Sequence, residues 1–562
     1  MKKYFVQNIR LILVALSSFL IGAVIVSKTG DKTINNEVIT NAEKIFGINF
    51  SEAQQDSMID LLNQRLESYQ NIRKIDLANS VPPAIIFNPI PEGIKFSTKQ
   101  LPVRFSDYSK TIMPKNMNDL AYYSIGQLGY LLRTRKISSV QLTKFFLDRL
   151  KKYGPELHCV ITFTEDLAMK QAKKADEEIA AGKYKSPLMG IPFGVKDLLA
   201  LKGYKTTWGA APYKDQEINT TSTVIKRLED AGAVLIAKLS MGELAMDDVW
   251  FGGLTRNPWD TTQGSSGSSA GSAAAVSAGL VPFAIGTETW GSIVSPSTRC
   301  GVSGLRPTYG RVSRYGAMSL SWSMDKIGPI CRNVEDCAFV FKAIYGPDGL
   351  DQTLYNYPFN YTPKINLKGL RIGYLAGDFN HKYAFKTNDS LTIEEMKKLG
   401  AKLIPIKLPD LPVNDISFIL DAEAGAAFDV ITRNGKVDLL ARQGKDNWPN
   451  IFRASRFIPA VEYVNANRVR YLLIQQMEKM FDDNKIDLYL APSDEGDNSL
   501  VTNLTGHPLV VVPNGFLNGN HPTSITFVGR LFDEGKILEV AKAYQDATGY
   551  QLKHPPMFSA GF

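Results

Sequence analysis

The sequence predicts an α/β fold, and two observations predict it. Short runs of β-branched and apolar residues alternate along the chain with stretches of helical periodicity. Midway, Gly264 to Pro296 reads GSSGSSAGSAAAVSAGLVPFAIGTETWGSIVSP, dense in Gly, Ala and Ser, with Glu288 as its only formal charge. Small residues let backbone approach backbone or a ligand. A flexible Gly/Ser linker carries no apolar core, yet Ala273 to Ile285 is largely apolar and lies between two serine clusters. A tightly packed buried element fits this stretch. So many hydroxyls in one place point to chemistry on serine.

Taken in order, the chain opens with Met1–Ser27, where Lys2, Lys3 and Arg10 precede an apolar run from Leu11 to Val26. A basic flank before such a run reads as a secretory signal or a signal-anchor, although the run is slightly short for a full membrane span. This places the protein outside the cytoplasm, released or membrane-anchored. Residues 28–118 read as a helical arm followed by an extended segment. Two helices fit Asn41 to Asp76, with a break near Gly47 and a capping box at Ser51 and Gln54. Val81 to Gly93 is proline-rich and reads as an arm covering apolar surface of the main domain.

The main domain is assigned to residues 119–562. Ser124/Gln127 and Ser138/Gln141 form two further capping boxes, and the second helix sets Leu142, Phe146 and Leu150 on one face. Cys159–Phe163 is a strand candidate. Asp166 to Ala181 is helical, with Ala168, Ala172, Ala175 and Ile179 as a narrow stripe. Helix Val224–Ala231 and strand Ala233–Ala237 follow, hinged on Gly232. Leu370–Tyr374, Leu403–Ile406, Leu488–Ala491 and Leu509–Val512 continue the strand series.

Composition excludes several function classes. The chain has 562 residues, is 44% hydrophobic and 21% charged, and carries a formal charge of +8 spread along its length. No basic run interleaved with aromatics appears, so no nucleic-acid partner is indicated. The four cysteines, Cys159, Cys300, Cys331 and Cys337, are too few and irregular for a disulfide scaffold or zinc cluster. Cys331 and Cys337 have the alternative of pairing. No metal or phosphate motif is found, and neither a metal nor an organic cofactor is expected. The sequence carries no signal for an oligomeric state.

Three motifs compete for the serine chemistry. Gly267-Ser268-Ser269-Ala270-Gly271 matches the G-x-S-x-G elbow with Ser269 at its centre. That reading needs a histidine base, and His381, His507, His521 and His554 stand in no distinctive setting. Ser323-Met-Asp-Lys326 matches S-x-x-K, but Lys28-Thr-Gly30, the one Lys-Thr-Gly, lies upstream instead of downstream. The third match is far more extensive. Gly190-Ile-Pro-Phe-Gly-Val-Lys196-Asp197, Gly267–Gly271, Gly286-Thr-Glu-Thr-Trp-Gly-Ser292-Ile293, Cys300–Gly310, Asp325–Pro329 and Asn503–Pro508 occur in this order, with Ser268 and Ser292 24 residues apart. Together they resemble the amidase signature family of Ser-Ser-Lys hydrolases.

The resemblance implies a mixed central sheet sandwiched between helices (α/β/α), here with an N-terminal helical extension. It implies that Ser292 attacks an amide carbonyl, that Ser268 relays the proton, and that a buried, neutral Lys196 is the base. It also implies a cis bond between Gly267 and Ser268, and an oxyanion site made by the backbone N–H groups of Thr289, Trp290 and Gly291 with Ser292. The expected substrate is a small-molecule amide. The chain departs from the family pattern at Trp290 and Ala270, where Gly is usual, at Glu288, where Asp is usual, and at Val294, where Arg is usual. If position 290 needed a positive φ, its Trp would be strained. Two other functions stay open. One is a component of a glutamine-dependent tRNA amidotransferase, which works with cytoplasmic partners. The other is a non-catalytic binding protein on the same fold.

Overall fold

The alternating runs pair into one mixed sheet of eleven strands. The computed structural model describes residues 34–559, and the signal segment expected at Met1–Ser27 lies outside them. In chain order the strands are β1 (Val160–Phe163), β2 (Pro192–Lys196), β3 (Val234–Leu239), β4 (Phe283–Glu288), β5 (Ser303–Arg306), β6 (Lys326–Cys331), β7 (Arg371–Leu375), β8 (Lys402–Ile406), β9 (Leu488–Pro492), β10 (Leu509–Leu517) and β11 (His521–Gly529). Across the sheet they run β1-β3-β2-β4-β6-β5-β10-β11-β9-β7-β8. β2 is parallel to β3 and β4, and β7 is parallel to β8 and β9. The remaining neighbours are antiparallel.

Every residue of β2, β3 and β4 is buried, so helices cover both faces there. Strands covered on both faces read as near-continuous apolar runs, as Phe193-Gly-Val195 and Val234–Ala237 do. The helix Ala270–Ser277 packs against β2, β3, β4 and β6 with all its residues buried. Its small side chains are required by contact, because a Cβ on Gly271 would lie 2.6 Å from the Cys159 carbonyl oxygen and the Ser240 nitrogen. The helix Val334–Ile344 packs on β5 and β6.

This arrangement places the site. β2 and β4 are parallel neighbours, so their carboxyl ends, Lys196 and Glu288, open on the same edge of the sheet. Crevices outside such ends are where α/β sheets bind ligands.

The local expectations hold. The helix Ser139–Leu157 buries Leu142, Phe146 and Leu150, and Glu165–Ala180 buries Ala168, Ala172, Ala175 and Ile179. Gln127 and Gln141 side chains accept from the Ser124 and Ser138 N–H groups.

The described residues up to Ala78 form one compact unit and those from Asn79 onward another. The first is a pair of helices, Asn36–Phe46 and Glu52–Ile72, divided at Gly47, whose φ is +66°. Gln54 Oε1 accepts from Ser51 N–H at 2.8 Å, as the capping box requires. In the second unit the proline-rich segment lies on the body of the domain. Asn79 exchanges two hydrogen bonds with the Ser319 backbone, and Phe87 meets Tyr309 edge-on with centroids 5.0 Å apart.

Candidate active site

Lys196 ends β2 with its side chain fully buried. Its Nζ donates to Ser268 Oγ at 2.8 Å, to Thr287 Oγ1 at 2.9 Å and to Ser269 Oγ at 3.2 Å. Burial pulls its ammonium down to about 7, against the charges of Asp325 and Glu288, which raise it. The amine form is therefore accessible near neutral pH.

The hydroxyls come from the turn into the helix Ala270–Ser277. The Gly267–Ser268 peptide bond is cis. Gly267 is required here, since a Cβ would lie 1.7 Å from the Asp247 carbonyl oxygen. Leu244, Ala245, Asp247 and Ser266 around it hold left-handed backbones, with φ of 49°, 66°, 52° and 60°. Non-glycine residues in such sparsely populated conformations cluster at functional sites.

Ser269 is fully buried. Its Oγ donates to the Thr287 carbonyl at 3.0 Å and accepts from Thr287 N–H at 3.1 Å. No histidine hydrogen-bonds to it among the described residues, so the elbow reading does not assemble. His507, fully buried, is bonded to Thr505 at 2.7 Å instead.

Ser292 lies in the turn after β4 and is 7% exposed. Ser269 N–H donates to its carbonyl at 3.2 Å, which ties the turn to the serine cluster. Among the described residues no hydrogen bond joins Ser292 Oγ to Ser268 Oγ. Lys196 therefore meets Ser268 directly, and the turn that carries Ser292 is joined to the serine cluster through this backbone contact. The backbone N–H groups of Trp290, Gly291 and Ser292 find no acceptor among the described residues. Thr289 is anchored through its side chain, which donates to Asp325 Oδ1 at 2.6 Å. The positive φ of this turn falls on Gly291, at +84°, and not on Trp290. Trp290 is unstrained for that reason, and it is 43% exposed.

The partners of several residues of the site carry no sequence signal. Thr287 Oγ1 accepts from Lys196 Nζ at 2.9 Å, within 0.1 Å of the 2.8 Å Ser268 distance. Glu288, the substituted Asp, is fully buried and ion-paired with Arg306 at 2.6 Å. Burial pushes its carboxyl up, but Arg306, the Asn503 amide and the Ile293 N–H outweigh that and hold it at about 2. Asp197 next to Lys196 pairs with Lys238 of β3 at 2.8 Å, both fully buried.

The S-x-x-K match does not form a site. Ser323 Oγ donates to Glu423 at 2.7 Å and accepts from Arg470 at 2.7 Å, while Lys326 Nζ donates to the Met324 carbonyl. All four cysteines are free and buried, so Cys331 and Cys337 do not pair. Among the described residues no group of three or more His, Cys, Asp or Glu converges to hold a metal.

Residues 141–496 match the sequence profile of the family described as Amidase. The chain belongs to the amidase family. A glutamyl-tRNA(Gln) amidotransferase subunit from Marinomonas sp. (strain MWYL1) is 34% identical to this amidase over 482 residues, covering 77% of this chain and 98% of that protein. Among solved structures, native peptide amidase from Stenotrophomonas maltophilia aligns with a TM-score of 0.69 at 27% identity, over 79% of this chain and 100% of that one. A peptide amidase in complex with the competitive inhibitor chymostatin gives a TM-score of 0.69 at 28% identity, over 78% of this chain and 99% of that one. Among the described residues of this amidase no helix is long and apolar enough to cross a membrane.

Proposed function

We propose that this amidase hydrolyses a carboxylic amide C–N bond through an acyl-enzyme on Ser292. Neutral Lys196 takes the Ser268 proton while Ser268 takes that of Ser292, whose Oγ bonds to the amide carbon. The carbonyl oxygen becomes an oxyanion facing the N–H groups of the 289–292 turn. The proton returns through Ser268 to the leaving nitrogen, the C–N bond breaks, and ammonia or an amine departs. Water then repeats the sequence on the ester, releasing the acid and restoring Ser292.

The observation that carries this reading is Lys196: a fully buried lysine whose polar partners are hydroxyls and a carbonyl, one of them Ser268 at 2.8 Å. The likeness to peptide amidases supports a peptide-like amide as substrate. The test is product release from a panel of primary and secondary amides, with Ser292→Ala as blank. Turnover of none of them, together with no labelling by a fluorophosphonate, would leave a binding protein on an amidase fold.

The likeness to a glutamyl-tRNA(Gln) amidotransferase component supports a second reading, in which the chain supplies ammonia to an amidotransferase. Glutamine turnover that needs added partner proteins would favour it. Lys2, Lys3 and Arg10 before the Leu11–Val26 run support the first reading, through export or outward-facing membrane anchoring. Fractionation and N-terminal sequencing test this; an intact chain found solely in the cytosol contradicts it.

A further inference from the structure

The reaction above needs Ser292 and its neighbouring N–H groups held in one conformation, and the catalytic hydroxyls do not hold them. We propose that Glu288 is the positioning residue that presets the nucleophile turn, an inference that rests on the acyl-enzyme reading of Ser292. Glu288 is the last residue of β4, fixed in the ladder opposite Lys326 of β6. Its Oε2 reaches across the turn and accepts from Ile293 N–H at 2.8 Å and Val294 N–H at 3.0 Å. One side chain thereby closes residues 289–292 into a loop. It also occupies the donors beyond Ser292, while the N–H groups of Trp290, Gly291 and Ser292 are left for an oxyanion.

The other oxygen fixes the carboxylate itself. Oε1 accepts from Arg306 Nη1 at 2.6 Å and from Asn503 Nδ2 at 3.0 Å. Arg306 ends β5 and is held in turn by the His507 carbonyl at 2.9 Å, and Asn503 belongs to the helix Asn498–Thr505. The two sequence segments Cys300–Gly310 and Asn503–Pro508 thus acquire a role that no catalytic step assigned to them. All three side chains are fully buried, so water does not substitute for any of them. Arg306 acts on the charge of Glu288, Glu288 and Asp325 act together on Lys196 and Lys326, and Arg306 and Arg470 oppose them at Lys326.

Glutamine cannot replace this carboxylate. Four donors meet its two oxygens, and an amide offers an acceptor to only one side. Aspartate keeps both acceptors and the charge, one methylene shorter.

The experiment measures the labelling rate of the full chain by a fluorophosphonate probe against pH, for wild type, Glu288→Gln and Glu288→Asp, with Ser292→Ala as blank. Glu288→Gln is expected to label about 10²-fold more slowly, the order of loss that follows from displacing a reacting group by about 1 Å. Its pH midpoint is expected at lower pH than wild type, because a charge that favours the Lys196 ammonium has gone. Glu288→Asp is expected to label at an intermediate rate with the wild-type midpoint. A side chain that only fills space would move rate and midpoint in neither variant. Glu288→Gln at wild-type rate and midpoint, or Glu288→Asp no better than Glu288→Gln, overturns the inference. If Glu288→Gln does not fold, Glu288→Asp decides: slower labelling at an unshifted midpoint supports the inference, and the wild-type rate overturns it. A wild type that does not label removes the acyl-enzyme reading, and this inference with it.

Discussion

Lys196 Nζ donates to Ser268 Oγ at 2.8 Å, and among the described residues no carboxylate hydrogen-bonds to that lysine. One strand away, Lys238 is buried as deeply but paired with Asp197 at 2.8 Å. Both lysines are pulled below the ordinary range by burial. The difference lies in the partner: a carboxylate favours the charged form of Lys238, whereas hydroxyls leave Lys196 able to lose its proton.

Activity follows the Lys196 amine. For wild type, kcat/KM rises with pH through about 7 as Lys196 loses its proton. Lys196→Ala loses about 10²–10⁴-fold, the usual contribution of a general base, and the limb disappears with it. A pH–rate profile of both proteins checks this. An unchanged limb in the variant assigns the base elsewhere.

Stability follows it in the opposite sense to an ordinary lysine. The folded-state value is lowered from 10.5 to about 7. Below about 7 both folded and unfolded chains bind the proton, and the burial penalty is present in full. Between the two values the unfolded chain binds more protons, so stability rises with pH. Lys196→Met removes this penalty. It is expected to exceed wild type in denaturant stability by several kcal/mol below pH 7, with the gap closing as pH approaches 10.5. A gap that is constant with pH contradicts the assignment.

Asp197 is structural. Breaking a buried ion pair by removing one partner costs about 3–5 kcal/mol, and replacing both by apolar residues recovers most of it. Asp197→Ala should show that loss in urea unfolding. Asp197→Leu with Lys238→Met should return toward wild type. Equal losses in the single and double variants would mean that the site tolerates no apolar substitute.

Trp290 is expected to select among acyl chains. It stands two residues before Ser292 and is 43% exposed, with the turn's positive φ borne by Gly291. Trp290→Gly therefore changes relative kcat/KM along an acyl-length series, by about 1–3 kcal/mol per fitted methylene. A uniform loss across the series points instead to damage of the oxyanion turn.

What the sequence made legible was mainly local. Capping boxes at Ser51, Ser124 and Ser138 depend on residues three apart, and the alanine stripe of Glu165–Ala180 on the helical repeat. Strand ends such as Arg371–Leu375 fell one residue from their expected place, the usual spread of element boundaries. β6 was read as a motif and not as a strand, because Gly328 and Pro329 sit in its middle and both weaken strands. Gly328 is there because a Cβ would lie 2.0 Å from the Leu305 carbonyl oxygen, a contact visible only once β5 and β6 are paired. The contact of Lys196 with Ser268 was legible only through the motifs that surround the two residues. The role of Thr287 and the partners of Glu288 were not, since Arg306 and Asn503 are 18 and 215 residues away from it in the chain.

The most direct test of the account is mass spectrometry of the enzyme trapped with a fluorophosphonate or a slow acyl donor. The account predicts a single adduct on Ser292, absent in Ser292→Ala and formed far more slowly in Lys196→Ala. An adduct on Ser269, or undiminished labelling of Lys196→Ala, contradicts it.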